Sequence, residues 1–383
     1  TMSVTYPKGF VAGSFAAGLK AHGGDVGLIL NQGPIDSCAN VFTTNRSVAN
    51  QIIWSKQASQ DGRARAVLAN SGGANCFTGP LGFQLTHKSA ELVAELSGLA
   101  PIEVLVTSTG LIGEMLDEER LLAGIRGAHE KLSDSGGYDV AQAIMTTDSV
   151  HKHAIRDGSG FCIGGIAKGA GMLAPALATM LVFITTDAEI EPDRLQKHLD
   201  IAVQKSFNRL DSDGCTSTND QVTLMASGAS GVTPEDEEFQ TLLDELCMDL
   251  AMQLLTDAEG ADHDIHIKVT QAASEQLAVD VARSVARNNL FKAAIYGADP
   301  NWGRIYAAIG TVEGDFDPMI AKLTINGVCV ADDSMPQADR DQVDLTERLV
   351  EIEIDLKNGA YEATVFTNDL THAYVSENSE YSS

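Results

Sequence analysis

The sequence predicts a mixed α/β or α+β fold. Strand-like runs alternate with helical ones along all 383 residues, no internal repeat appears, and no tract is of low complexity. A chain of this length exceeds one ordinary core, so more than one packed unit is expected.

The strands come first. "DVGLILN" (25–31), "ARAVLAN" (64–70), "IEVLVTS" (102–108) and "TMLVFITT" (179–186) are short apolar runs. Such runs suit strands buried on both faces. In "DIHIKVT" (264–270), Ile265, Ile267 and Val269 alternate with polar residues, the period of a half-buried strand. "HKHAIRDGSGFCIGGIAKG" reads as a hairpin turning at Asp157–Gly160, and "LVEIEIDLKNGAYEATVF" as one turning at Asn358-Gly359. Helices are expected over 84–97, 117–131, 192–207 and 234–257. The last has Thr233 as its N-cap, Pro234 at the first helical position, and an apolar stripe from Phe239 to Leu254.

Composition narrows the function classes. A net charge of −27 repels nucleic acid and anionic membranes, so neither is an expected partner. The six cysteines are scattered without a C-x-x-C pair, which suits a reducing compartment rather than a disulfide framework or zinc site. The start "TMSVTYPKGF" lacks a basic stretch followed by an apolar one, so no secretory signal is expected and the cytoplasm is the expected location.

The segment "KGAGMLAPALATMLVFITTD" (168–187) stands apart, with eighteen uncharged positions between Lys168 and Asp187. Gly169, Gly171 and Pro175 argue against a membrane helix. "GAGMLA" matches a relaxed dinucleotide fingerprint, but Pro175 and a β-branched run follow where the helix should begin. A buried strand with a glycine-rich entry accounts for the local structure but leaves Ala178-Thr179 unexplained. A peptide bond before a hydroxyl residue can undergo an N→O acyl shift, and hydrolysis then frees an N-terminal Thr. Such a Thr carries its nucleophile and its base on one residue, because an α-amine titrates near about 7.7–8.0.

Beside that segment stand "NSGGANCFTG" (70–79), "TSTGLIGE" (107–114), "AIMTTD" (143–148), "DGCTSTND" (213–220), "DAEG" (257–260), "DPNWGR" (299–304) and "DLTHAYVSENSEYSS" (369–383). With them the chain closely resembles the ornithine acetyltransferase family over essentially its whole length. The resemblance implies cleavage between Ala178 and Thr179, and a ping-pong transfer of acetyl from N-acetylornithine to glutamate through acetyl-Thr179. It implies an oxyanion hole at Thr109 and Gly110. Its implied substrate-binding positions are Thr146, Lys168, Thr179, Glu259, Asn378 and Ser383. No cofactor is expected, although acetyl-CoA is a further candidate donor. The resemblance also implies an αββα-type sandwich around the nucleophile strand with smaller α+β units after it. The fragments 1–178 and 179–383 are expected to stay associated, as a dimer of αβ pairs.

Domain boundaries are expected near 188 and 275, giving units 1–188, 189–275 and 276–383. His151 with His153, and His263 with His266, lack further converging ligands, so no metal site is expected and these side chains are read as facing solvent. "DPNWGR" reads as a structural loop in which Arg304 pairs with an acid. After "DAEG" the chain continues Ala261-Asp262-His263, where the family carries a small residue, Thr and a basic residue, which alters the charge beside Glu259. Two other readings remain open. One is a self-cleaving amidase or aminopeptidase in which water takes the acyl group; the other is an unprocessed, catalytically silent binding protein.

Overall fold

The computed structural model describes residues 3–171 and 180–380; Ala178, Thr179 and Ser383 lie outside them. The chain opens with β1 (Phe10–Phe15), β2 (Val26–Asn31), β3 (Ser37–Phe42), α1 (Asn50–Ala58) and β4 (Ala66–Asn70). It continues through α2 (Gly79–Ser97), β5 (Val104–Ser108), α3 (Glu118–Glu130), α4 (Gly137–Ala143), β6 (Lys152–Asp157) and β7 (Cys162–Lys168). Then come β8 (Leu181–Thr186), α5 (Pro192–Lys205), β9 (Gln221–Ala226) and α6 (Asp236–Thr256). These elements build two stacked sheets, in the orders β1-β2-β4-β5 and β3-β9-β8-β7-β6.

Strand alternation explains the stacking. Ile29, Val67, Ala69 and Leu105 of the first sheet meet Ile166, Leu181, Phe183 and Met225 of the second in one apolar layer. Their neighbours point the other way. Leu28, Leu68 and Val106 pack on Leu85 of α2 and Ile125 of α3, whereas Val182, Ile184 and Leu224 pack on Leu199 of α5 and Leu246 of α6. Both faces of both sheets are therefore covered, which is why the strands read as apolar runs without polar alternation. The result is the expected αββα sandwich.

A second unit follows, with β10 (Asp264–Ala272), α7 (Glu275–Ala286), α8 (Asn289–Tyr296), α9 (Trp302–Ile309) and β11 (Lys322–Ile325). It is completed by β12 (Val328–Asp332), β13 (Met335–Pro336), β14 (Leu349–Asp355) and β15 (Tyr361–Asn368). The strands form one sheet, β13-β12-β11-β14-β10-β15, and Ile265, Ile267 and Val269 point into its core as their alternation requires. Finally α10 (His372–Glu380) returns toward the sandwich.

Several expectations need correction. The boundary near 188 cuts through the sandwich, because β9 pairs with β8 and β3 in one sheet, and α5 and α6 cover that sheet's outer face. The division instead follows α6, and residues 189–275 are no unit of their own. Helix α6 starts at Asp236 with Glu235 at the cap, two residues beyond the expected start, so Thr233 does not cap it. Helix α2 begins earlier than expected, at Gly79, with Pro80 in its first turn. The strands flanking Asn358-Gly359 exist but do not pair with each other. β10 lies between them, parallel to β14 and antiparallel to β15, and the turn rides over its end with Asn358 N–H donating to the Gln271 carbonyl (2.9 Å).

Phe183 is 1% exposed at the centre of the layer between the sheets. Phe183→Ala is expected to cost about 3–5 kcal/mol through lost burial and a residual cavity. A lowered midpoint in denaturant titration of the intact chain checks this.

Candidate active site

Lys168 ends β7 of one sheet, and Thr109 directly follows β5 of the other. The Lys168 side chain is 0% exposed, and its ammonium donates to Thr109 Oγ1 (3.0 Å) and Thr146 Oγ1 (2.8 Å). An ammonium can only donate, so each hydroxyl accepts from it and keeps its own hydrogen for another acceptor. The Thr109 N–H is taken by the Asn70 carbonyl (3.0 Å), which leaves the hydroxyl as the donor this residue can offer a ligand. Gly110 follows at φ +123°, and a Cβ there would stand 2.6 Å from the Gly73 nitrogen. Only glycine fits both the backbone angle and the close approach.

Burial pushes the Lys168 ammonium below its ordinary pKa, and Asp148 opposes that shift. Asp148 is itself buried. It accepts from Lys152 Nζ (2.6 Å), Gly169 N–H (2.8 Å) and Thr146 N–H (3.2 Å). Burial alone would raise its carboxyl, but Lys168 and Lys152 more than reverse this and hold it below the ordinary carboxylate range. Lys152, also 0% exposed, reaches Asp257 as well (2.7 Å), and Asp257 accepts from the Ser149 N–H (2.9 Å). Asp148 thus fixes Thr146 through its amide and the exit of β7 through Gly169.

A second cluster lies alongside. Glu259 N–H donates to the Ala170 carbonyl (3.0 Å), which seats the loop after α6 against the exit of β7. Its carboxylate accepts from Thr147 Oγ1 (2.8 Å) and Asn378 Nδ2 (2.7 Å), the latter carried in by α10. A Cβ on Gly171 would lie 2.4 Å from that carboxylate, so a side chain there would displace it. Thr146 and Thr147, adjacent in the chain, join the two clusters.

Open space adjoins both. A cleft of 780 Å³ is lined by Lys20, His22, Met145, Thr146 and His151, and a smaller one of 230 Å³ by Thr147, Asp257, Glu259 and Glu377. Basic side chains border the first and carboxylates the second. The arrangement offers hydroxyl and amide donors to a developing negative charge, together with separate places for a carboxylate and an ammonium.

Six of the expected site residues therefore converge: Thr109, Gly110, Thr146, Lys168, Glu259 and Asn378. The histidines differ from expectation. His151 and His153 are half-buried, each edge-on to Tyr138. His263 turns away from Glu259, with Nδ1 2.7 Å from Asp369 and Nε2 2.9 Å from the Leu345 carbonyl. Burial works against its charge, but those two oxygens outweigh it and raise its pKa. His263 is thus engaged by Asp369 and Leu345 of the second unit rather than by Glu259. Arg304 donates to the Leu290 carbonyl rather than to an acid, while Asn301 caps α9.

A model of the ArgJ family matches residues 11–383. The chain belongs to the ArgJ family. It is 52% identical, over 383 residues and the full length of both chains, to the arginine biosynthesis bifunctional protein ArgJ of Streptomyces avermitilis. The corresponding protein of Thermobifida fusca is 53% identical over 382 residues, again across both whole chains. Among solved structures, ornithine acetyltransferase of Mycobacterium tuberculosis in complex with ornithine is 45% identical, over 45% of this chain and 95% of that one, with a TM-score of 0.44. ArgJ of Bacillus halodurans is 35% identical over 52% of this chain and 98% of that one, with a TM-score of 0.49.

In this ArgJ-family chain the motifs assign no role to Lys152 or Asp257, and Asp148 enters them only as the last residue of "AIMTTD". A signal was present: "DSVHK" sets an acid four residues before a Lys at the start of a strand that is otherwise half-buried.

Asp148→Asn removes one counter-charge from two buried ammonium groups, and is expected to cost about 3–5 kcal/mol. Because the folded carboxyl lies below its ordinary 3.8, this stabilisation is complete above that pH and fades as pH falls through the folded value. Denaturation measured across the acid range should show that slope in the parent protein and its loss in the variant.

Proposed function

We propose that this chain transfers acetyl from N-acetylornithine to glutamate, through an acetyl-Thr179 intermediate formed after self-cleavage between Ala178 and Thr179. The observation that carries the reading is the Lys168 ammonium held between the Thr109 and Thr146 hydroxyls, which leaves the Thr109 hydroxyl, next to Gly110, with its hydrogen to donate elsewhere. In this reading the freed α-amine of Thr179 takes the proton from its own Oγ1, which attacks the acetyl carbonyl. The oxyanion draws on the Thr109 hydroxyl and the Gly110 N–H. Collapse breaks the C–N bond, and the proton passes to the departing ornithine amine. The glutamate α-amine then attacks the ester, and Thr179 Oγ1 recovers a proton as N-acetylglutamate leaves.

The substrates fit the charges of the site. Glu259, steadied by Thr147 and Asn378, suits the ammonium of ornithine, and Lys168 suits an α-carboxylate, with Lys20 bordering the same cleft. Ser383 is the remaining substrate position that the resemblance assigns. The relatives are named bifunctional, and acetyl-CoA is the second donor we assign to this chain. The fragments 1–178 and 179–383 form the working unit, paired as a dimer in the cytoplasm. No described helix is long and apolar enough to cross a membrane.

Intact mass under denaturing conditions tests the reading. Two fragments breaking at 178/179 are expected, the C-terminal one gaining about 42 Da on brief exposure to N-acetylornithine. A single full-length mass that substrate leaves unaltered would overturn it. Release of free acetate in place of N-acetylglutamate would assign the site to an amidase.

Thr109→Ala is expected to lower kcat by about 10²–10³-fold, the loss associated with one oxyanion donor. Glu259→Gln should raise KM for N-acetylornithine more than it lowers kcat, as seen in steady-state acetyl transfer. With the Thr179 amine as base, kcat/KM should climb with pH and level off above about 8.

A further inference from the structure

The motif "DGCTSTND" (213–220) is absorbed by none of the assigned roles, yet its last two residues reach both halves of the site. Asn219 is 4% exposed and its Nδ2 donates to two carbonyls, those of Ala74 and Ser108, each at 2.7 Å. The Ser108 carbonyl belongs to the peptide bond that leads into Thr109. Asp220 is 0% exposed, and its Oδ1 accepts the Met180 N–H at 2.8 Å. That N–H belongs to the peptide bond leaving Thr179. Two consecutive side chains therefore hold two peptide planes, one entering the oxyanion residue and one leaving the nucleophile.

The dipeptide is itself fixed. Thr218 Oγ1 donates to Asn219 Oδ1 (2.5 Å), and the Asp220 carbonyl accepts from the Thr43 N–H (2.9 Å). The Met180 carbonyl in turn accepts from the Gln221 N–H (3.1 Å), so Met180 is gripped on both sides where β8 and β9 begin to run parallel. Asp220 Oδ2 is buried and has no hydrogen-bond partner among the described residues. Burying an ionised carboxylate oxygen without a donor costs more than burying the neutral acid in the same place. Burial pushes Asp220 well above the ordinary carboxylate range, against the opposing pull of the Met180 N–H, Lys168, and the hydroxyl and N–H of Ser217.

We propose that Asn219 and Asp220 are positioning residues which set the spacing between Thr179 and the Thr109–Gly110 donors, Asp220 acting through the acceptor that its Oδ1 presents to the Met180 N–H rather than through its charge. The proposal rests on the acetyl-transfer reading above and adds residues to it. A spacer of this kind matters because catalysis by alignment is lost steeply with displacement, about 10²-fold for a shift near 1 Å.

Asp220→Ala and Asp220→Asn in the full chain decide it. Asparagine offers the same acceptor at Oδ1 and a donor at the other position without charge. Asp220→Ala is expected to lower kcat by about 10²-fold with KM nearly constant, and Asp220→Asn to restore kcat to within about threefold of the parent. Hydrogen exchange at the Met180 amide should quicken in the alanine variant and return to parental protection in the asparagine one. If alanine prevents folding, Asp220→Asn and Asn219→Ala still decide: the first retaining kcat and the second losing it supports the spacer. An asparagine variant as impaired as alanine would overturn the proposal by showing that charge is required. Parental kcat in Asp220→Ala would overturn it outright. Should the parent protein transfer no acetyl, the functional reading fails instead, and the exchange of the Met180 amide alone decides whether Asp220 holds this backbone.

Discussion

One buried ammonium organises this molecule. Lys168 stands at the end of a strand in one sheet and is hydrogen-bonded to a hydroxyl at the end of a strand in the other. A desolvated charge is tolerable only where donors and counter-charges converge on it. That demand sets what surrounds it. Asp148 supplies the counter-charge, Lys152 and Asp257 extend the network to the end of α6, and the loop bearing Glu259 is drawn in behind them. The same demand places a hydroxyl beside a glycine of constrained backbone, the arrangement that an anionic intermediate needs.

The layered architecture makes such a point available. Two sheets stacked face to face leave their strand ends as the places where backbone and side chains of both meet. Helices cover the outer faces, so polar groups admitted to the interior enter at those ends. The second unit closes one of them by sending α10 back across Glu259. The Thr371 hydroxyl donates to the Gly260 carbonyl, and Asn368 Nδ2 donates to the Leu255 carbonyl (3.0 Å), which pins that unit to the sandwich close to the site.

Much of this was legible in the sequence, and the reasons for success and failure are physical. Strands such as β2 and β8 announce themselves because burial on both faces makes most of their residues apolar. The hairpin from β6 to β7 is local, and Gly160 at φ +83° marks its turn. The strands around Asn358-Gly359 looked equally local, but long-range pairing won, since β10 from almost a hundred residues earlier lies between them. The boundary near 188 failed for the same reason, because β9 completes a sheet begun far upstream. Of the site, Thr109, Gly110, Thr146, Lys168, Glu259 and Asn378 stand in motifs that single them out, whereas Lys152 and Asp257 were given no role. Their importance lies in being buried together, and burial of an ion pair leaves no periodic trace.

The order of strands in the second sheet carries one more consequence. A chain broken after Ala178 assigns β6, β7 and β3 to one fragment and β8 and β9 to the other, and in the sheet these lie as β3-β9-β8-β7-β6. The second fragment's strands are enclosed on both sides by the first's. The two pieces are then joined by backbone hydrogen bonds along two seams, β3 with β9 and β7 with β8, and neither can leave without exposing unpaired edges and the apolar layer beneath. Separation of the pieces and unfolding become one event. A chain so broken would be two molecules by covalent chemistry and a single folding unit by thermodynamics, and its resistance to denaturation would acquire a dependence on protein concentration.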